Sequence, residues 1–236
     1  MSRRPDLDRL YDLLDRLEAN VGGKQRLKDC TGYMDWPDRG VYLFFAAGET
    51  RDSTDQLRLT RIGTHAVSTG SSTSLWDRLR THRGANRGSY EGGGNHRGSV
   101  FRKRVGEAMI ERDGLHDEYP YWGQGSSAAR ERRLAELEHE RRVSEYIRDL
   151  PFLWIDIDDE PSPESDRAYI ERNMIALASN YAKKSIDGRD CEWLGNASAS
   201  EAIRQSGLWN VNHVGEEYAP AFLDRLETAV EKTTPP

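Results

Sequence analysis

Cysteine is scarce in this chain: 236 residues hold only two, Cys30 and Cys191, far apart and outside any CxxC pair. That excludes a disulfide framework and a cysteine-built zinc site, and it fits a reducing compartment. Long apolar runs are missing as well. No stretch approaches the ~18 residues that a spanning helix needs, and the opening Met-Ser-Arg-Arg-Pro-Asp lacks the apolar stretch of a secretory signal. The expectation is a cytoplasmic protein with no membrane partner. A positive net charge is also lacking; the formal sum is −6, which argues against a generally basic nucleic-acid coat protein. What is present is 36% hydrophobic and 31% charged, with six Trp and ten Tyr, too aromatic for a disordered chain and too polar for a membrane protein. The length suits one principal domain carrying extra helices or a small appendage, and there is no internal repeat.

The negative sum conceals a local reversal. Between Trp76 and Arg104 stand Arg78, Arg80, Arg83, Arg87, Arg97, Arg102, Lys103 and Arg104 against only Asp77 and Glu91, an excess of +6 that leaves −12 for the rest. Such segregation favours a polyanion at one site while the remaining surface discourages indiscriminate binding. The bland alternative is an Arg-rich solvated face.

Periodicity gives the order of elements. Leu7, Leu10, Tyr11, Leu14 and Leu17, spaced by three and four, predict an amphipathic helix over 5–19. Val41 to Phe45 reads as a strand and Leu57 to Val67 as a second, joined by a polar loop into an antiparallel hairpin. Ser74 with Asp77 three residues on makes a capping-box start for a helix that stops before Gly84. Six glycines between 84 and 98 predict a flexible basic loop, and Phe101, Val105, Ala108 and Met109 a further helix. The longest helix is expected over 127–150, free of Gly and Pro until Pro151 ends it. Phe152 to Ile157 reads as a buried strand, followed by an acidic linker. Helices around 169–181, near Ala202 and near Phe222 complete the chain.

Several residues invite a chemical reading on their own. Arg78 and His82 stand four apart on one helix face, as two groups acting on one phosphate would, or as a solvated Arg and a surface His. Tyr42 sits in an otherwise apolar strand, so its hydroxyl faces a pocket or finds a buried partner. On the expected long helix Glu140 lies ~60° from Val143 and ~20° from Ile147, on the buried stripe, and a carboxylate there needs a reason. Glu136, one turn earlier on that stripe, is the runner-up. In the Gly-rich loop His96 and Arg97 are placed to touch phosphate. Trp154, Trp193 and Trp209 are read as core, and Trp209-Asn210-Val211-Asn212-His213 matches no mechanism.

The order β, β, α, α, α, β, with Gly40-Val41-Tyr42 on the first strand, Arg61-Ile62-Gly63 on the second and Ser74-Leu75-Trp76-Asp77-Arg78-Leu79-Arg80-Thr81-His82 opening the first helix, resembles the GIY-YIG nuclease family over roughly residues 39–158. The resemblance implies an α/β fold with a small antiparallel three-stranded sheet flanked by helices, here with an N-terminal helical extension (1–38) and a mostly helical C-terminal extension (159–236). It implies hydrolysis of phosphodiesters in DNA with one divalent cation, Mg²⁺ or Mn²⁺, held by Glu140. Tyr42 would position or activate water, Arg78 would neutralise transition-state charge, and His82 would assist by hydrogen bonding or proton relay. Arg61 stands where the second motif normally begins with Tyr; an Arg there would hold a phosphate oxygen or act on Tyr42 electrostatically. Arg87, His96, Arg97 and Arg102 would bind nucleic acid. The competing readings are a catalytically inactive nucleic-acid-binding module of the same fold and a structural interaction protein.

Overall fold

In the computed structural model, which describes residues 3–236, the chain runs α1 (Arg3–Val21), β1 (Gln25–Arg26), β2 (Gly40–Thr50), β3 (Leu57–Gly63), α2 (Leu75–Arg83), α3 (Val100–Asp113), α4 (Arg130–Ala135), α5 (Leu137–Asp149), β4 (Pro151–Asp156), α6 (Asp166–Ala178), α7 (Glu201–Ser206) and α8 (Phe222–Lys232). The strands form one antiparallel sheet in the order β1-β4-β2-β3. The three expected strands are its body. The correction is a fourth, the two-residue β1, which pairs Gln25 with Phe152 on the outer side of β4. No helix among the described residues is long and apolar enough to cross a membrane.

Both faces of the sheet are covered, which is why its strands read as continuous apolar runs. On β2 Val41, Tyr42, Leu43, Phe44 and Phe45 are all buried. Successive side chains alternate between faces, so Tyr42 and Phe44 share a side with their partners Gly63 and Arg61 on β3 and Trp154 and Phe152 on β4. That side is packed by α2 and α3, through His82 against Tyr42 and Phe101 against Phe44. On the other side α1, α6 and α8 pack against one another and the sheet.

The helix expected over 127–150 divides at Glu136. Its first piece, α4, has no buried residue, so nothing in the core holds it in line with α5. Glu136 itself turns to take both terminal nitrogens of Arg97, at 2.6 and 2.8 Å. The longest helix is therefore α1, with 19 residues. The Gly-rich segment 84–98, expected as a flexible loop, folds back on itself: Ala85 N donates to Gly93 O at 2.7 Å and Gly92 N to Ala85 O at 3.0 Å. Gly84, at φ +83, ends α2, and a Cβ there would stand 2.3 Å from the Gly93 carbonyl, so only glycine permits this fold-back.

Candidate active site

The capping box of α2 forms as expected. Ser74 Oγ accepts from Asp77 N, and the Asp77 carboxylate accepts from Ser74 N. The cap fixes the rotation of α2 on the sheet, and with it the face carrying Arg78 and His82. His82 is fully buried, and its Nε2 lies 2.9 Å from the Tyr42 hydroxyl. The strand explains the meeting: Tyr42 leans over Gly63, where a Cβ would lie 2.2 Å from its hydroxyl oxygen. A Cβ at Gly40 would lie 2.3 Å from the Ile155 carbonyl. Both motif glycines are thus required by close approach.

Arg78 completes this corner. The Tyr42 oxygen beside it raises its pKa, against burial. Arg61 is 8% exposed; its terminal nitrogen reaches the Trp209 carbonyl at 3.4 Å and its guanidinium lies over Phe101. The Nε atoms of Arg61 and Arg78 are both buried without a hydrogen-bond partner among the described residues. Burial, then the guanidinium groups of Arg78, Arg61 and Arg102, hold the His82 pKa well below the ordinary histidine value, so its ring is neutral.

A carboxylate joins the cluster, and it is Glu171. On α6 its Oε1 accepts from Thr64 N, just beyond β3, at 3.2 Å; its other oxygen makes no hydrogen bond or ion pair among the described residues. Burial raises its pKa, opposed by the charges of Arg61, His213 and Arg78 and by the Thr64 N–H. The rule that singled out Glu140 also finds Glu171: at ~100° per residue it lies ~60° from Met174 and ~40° from Ile175, both buried. The signal is present in the sequence, on a helix outside the segment that carries the motifs.

Glu140 stands elsewhere. Its Oε1 accepts from His96 N and His96 Nδ1 at 2.6 and 2.9 Å, and its Oε2 from Arg102 Nε and a terminal Arg102 nitrogen. None of these bonds reaches Tyr42, Arg61 or Arg78. Burial alone would raise its pKa, but the His96 and Arg102 donors outweigh that and hold it at about 2. All four of these bonds come from protein donors. His96, stacked on Trp122, accepts from Gly123 N on its other nitrogen, which places its ring proton on Nδ1.

The basic segment is correspondingly less available than its charge suggests. Arg102 is fully buried, bonded to the His82 carbonyl and Ser144 as well as to Glu140. Arg97 is spent on Glu136, and His96 is 1% exposed. These three residues are internal ties, not surface contacts, because the +6 segment meets the carboxylates of α5. Arg87 is exposed, with no hydrogen bond or ion pair among the described residues.

The segment after α7 reaches the same corner. Trp209 N donates to Thr60 O at 2.7 Å. Asn210 then exchanges two bonds with Ile62, its Oδ1 accepting from Ile62 N and its Nδ2 donating to Ile62 O. This lays residues 209 and 210 along the outer edge of β3 and carries His213 toward Glu171.

No curated protein and no solved structure matches the chain. The family described as GIY-YIG domain matches it over residues 1–236, so the likeness extends past the 39–158 segment that carries the motifs and takes in α6 and Glu171. With both motif glycines seated against Tyr42 and β4, and a match across its whole length, this chain belongs to the GIY-YIG domain family, and a nuclease-type function comes with that membership.

Proposed function

We propose that the protein is a metal-dependent endonuclease that hydrolyses phosphodiester bonds in DNA, with Tyr42, Arg61, Arg78, His82 and Glu171 as its working residues. The observation that carries this reading is the convergence at one corner of the sheet of a tyrosine hydroxyl, two guanidinium groups with unmet Nε–H donors and an otherwise unpaired carboxylate. A phosphodiester has what these groups lack: anionic oxygens for the N–H donors and a phosphorus for an activated water. DNA as the substrate follows the family.

The donor set fits a hard divalent cation, Mg²⁺ or Mn²⁺. No cluster of three or more His, Cys, Asp or Glu exists among the described residues, but Mg²⁺ is commonly held by one or two carboxylates, with waters and substrate phosphate completing the shell. Glu171 has the free oxygen for this; Glu140, the residue favoured by helix geometry, does not. When bound, the cation supplies charge stabilisation at the scissile phosphate and the leaving oxygen. The residues do the rest. The Tyr42 oxygen receives the proton of the attacking water as the hydroxyl's own proton passes on to solvent; the water oxygen bonds to phosphorus as the bond to the leaving oxygen breaks, and the leaving oxygen takes a proton from solvent. Arg78 and Arg61 neutralise the charge that accumulates on the phosphoryl oxygens. Arg87 supplies a contact to the DNA backbone at the rim.

Incubation with supercoiled plasmid and Mg²⁺ or Mn²⁺, beside an EDTA control, tests the reading. The parent should nick DNA only with metal, and Glu171→Gln should lose on the order of 10² or more in rate while keeping its DNA affinity. Full activity in Glu171→Gln rejects the ligand assignment. One feature favours the binding-only module, the Arg61 that replaces the second-motif Tyr; DNA affinity without cleavage under any of these conditions would select it.

A further inference from the structure

Two hydrogen bonds hold the His82 ring, and they settle which nitrogen carries its proton. Nε2 faces the Tyr42 oxygen at 2.9 Å, and Nδ1 faces Ser99 Oγ at 3.0 Å. The Tyr42 end is indifferent, since a phenol both donates and accepts. The Ser99 end is not. Ser99 is the N-cap of α3, and its Oγ already accepts from Arg102 N at 3.2 Å. The residue is 2% exposed, and His82 Nδ1 is the one acceptor within reach of its hydroxyl proton among the described residues. Were Nδ1 protonated, Oγ would face two N–H donors and its own O–H would be buried with nothing to receive it.

We propose that Ser99 is a positioning residue that fixes His82 as the Nε2–H tautomer, so that His82 donates to the Tyr42 oxygen and does not take a proton from it. The helix reinforces the assignment. Oγ sits at the positive N-terminal end of the 14-residue α3, which polarises its O–H toward Nδ1. The other charged and titratable groups around the ring agree with a neutral donor: Arg61 from β3, Arg78 from α2 and Arg102 from α3 are cations that oppose a second proton, and Tyr42 from β2 is the partner itself. Phe44 and Phe101 close the ring in edge-on. The tautomer stands on geometry alone; its consequence, that Tyr42 is held with its oxygen ready to take a proton from water, rests on the function proposed above.

The same protein contains the opposite case, because His96 gives its Nδ1 proton to Glu140 and accepts from Gly123 on Nε2. Nitrogen-15 NMR of the histidine-labelled chain, with rings assigned through their backbones, should therefore show His82 as Nε2–H and His96 as Nδ1–H at neutral pH. His82 found as Nδ1–H or as imidazolium overturns the inference. Ser99→Thr should preserve the tautomer; a folded Ser99→Ala should show a mixture of both forms and lose about tenfold or more in cleavage rate with KM unchanged. An unaltered His82 tautomer in folded Ser99→Ala would remove Ser99 from the role. A parent that shows the Nε2–H form yet cuts no DNA refutes the proposed function and leaves the tautomer standing.

Discussion

Glu140 and Glu171 are the same side chain pushed in opposite directions. The folded pKa of Glu140 is depressed from 4.5 to about 2, so its contribution to stability is fully present above pH 4.5 and is lost as pH falls through about 2. That difference is worth on the order of 3 kcal/mol. Thermal melts should show the parent losing stability between about pH 4.5 and 2, and Glu140→Gln should be less stable at pH 7 with that acid limb flattened. An unshifted melting temperature at pH 7 would show that the Arg102 and His96 ties carry nothing. For Glu171 the sign reverses. Its folded pKa is raised, so its charge costs stability above the unfolded value, and Glu171→Gln should melt at or above the parent temperature at pH 7 while losing its proposed activity. Gly63 makes the same point sterically: Gly63→Ala places a methyl 2.2 Å from the Tyr42 oxygen, and cleavage should fall ~10²-fold, read against circular dichroism for folding.

Among the described residues, the basic segment separates at the level of elements into one free cation and several tied ones. On duplex DNA, Arg87→Ala should reduce the log-log salt slope of binding by about 0.9, whereas Arg97→Ala should leave the slope alone and lower the melting temperature. Equal slopes for Arg87→Ala and the parent would remove Arg87 from the DNA surface. These elements also show what local sequence carries. The hairpin, the α2 capping box and the burial of β4 follow from apolar runs and from Ser74 and Asp77, interactions within a few residues of one another. The break at Glu136 does not, because it depends on Arg97, 39 residues away, and no Gly or Pro announces it. What Glu171 meets is hidden for the same reason, although its buried face is not. Its helix is legible, but its bond to Thr64 N depends on α6 docking beside the end of β3. Periodicity says which face is buried and is silent on which neighbour it meets.

For the whole molecule, the C-terminal third is part of the candidate site and of the core. α8 packs on α1, with Arg9 and Arg16 pairing to Asp224, Glu227 and Glu231. Those exposed pairs add little, and the buried Phe222, Leu223, Leu226 and Val230 carry the contact. A fragment ending at residue 158 would lack Glu171, Asn210 and His213 and would bare the sheet face under α6. It should neither melt cooperatively nor cut DNA; a cooperative transition together with cleavage from that fragment would show that residues 159–236 are dispensable.

Asn210 has a bearing on how copies of this protein behave toward one another. β3 is an outer strand, and an open strand edge is a template on which another chain can add. One side-chain amide occupies both hydrogen-bonding positions of Ile62, with Trp209 taking Thr60, so two residues do the work of a fifth strand. Leucine at this position, of similar bulk, would leave the Ile62 N–H and carbonyl bare. Asn210→Leu should therefore form assemblies larger than those of the parent, with a size that grows with concentration in multi-angle light scattering. A variant as monodisperse as the parent would mean that the edge is shielded by other means. On this account Asn210 governs the colloidal stability of the protein, and its loss would register first in a concentrated stock as turbidity.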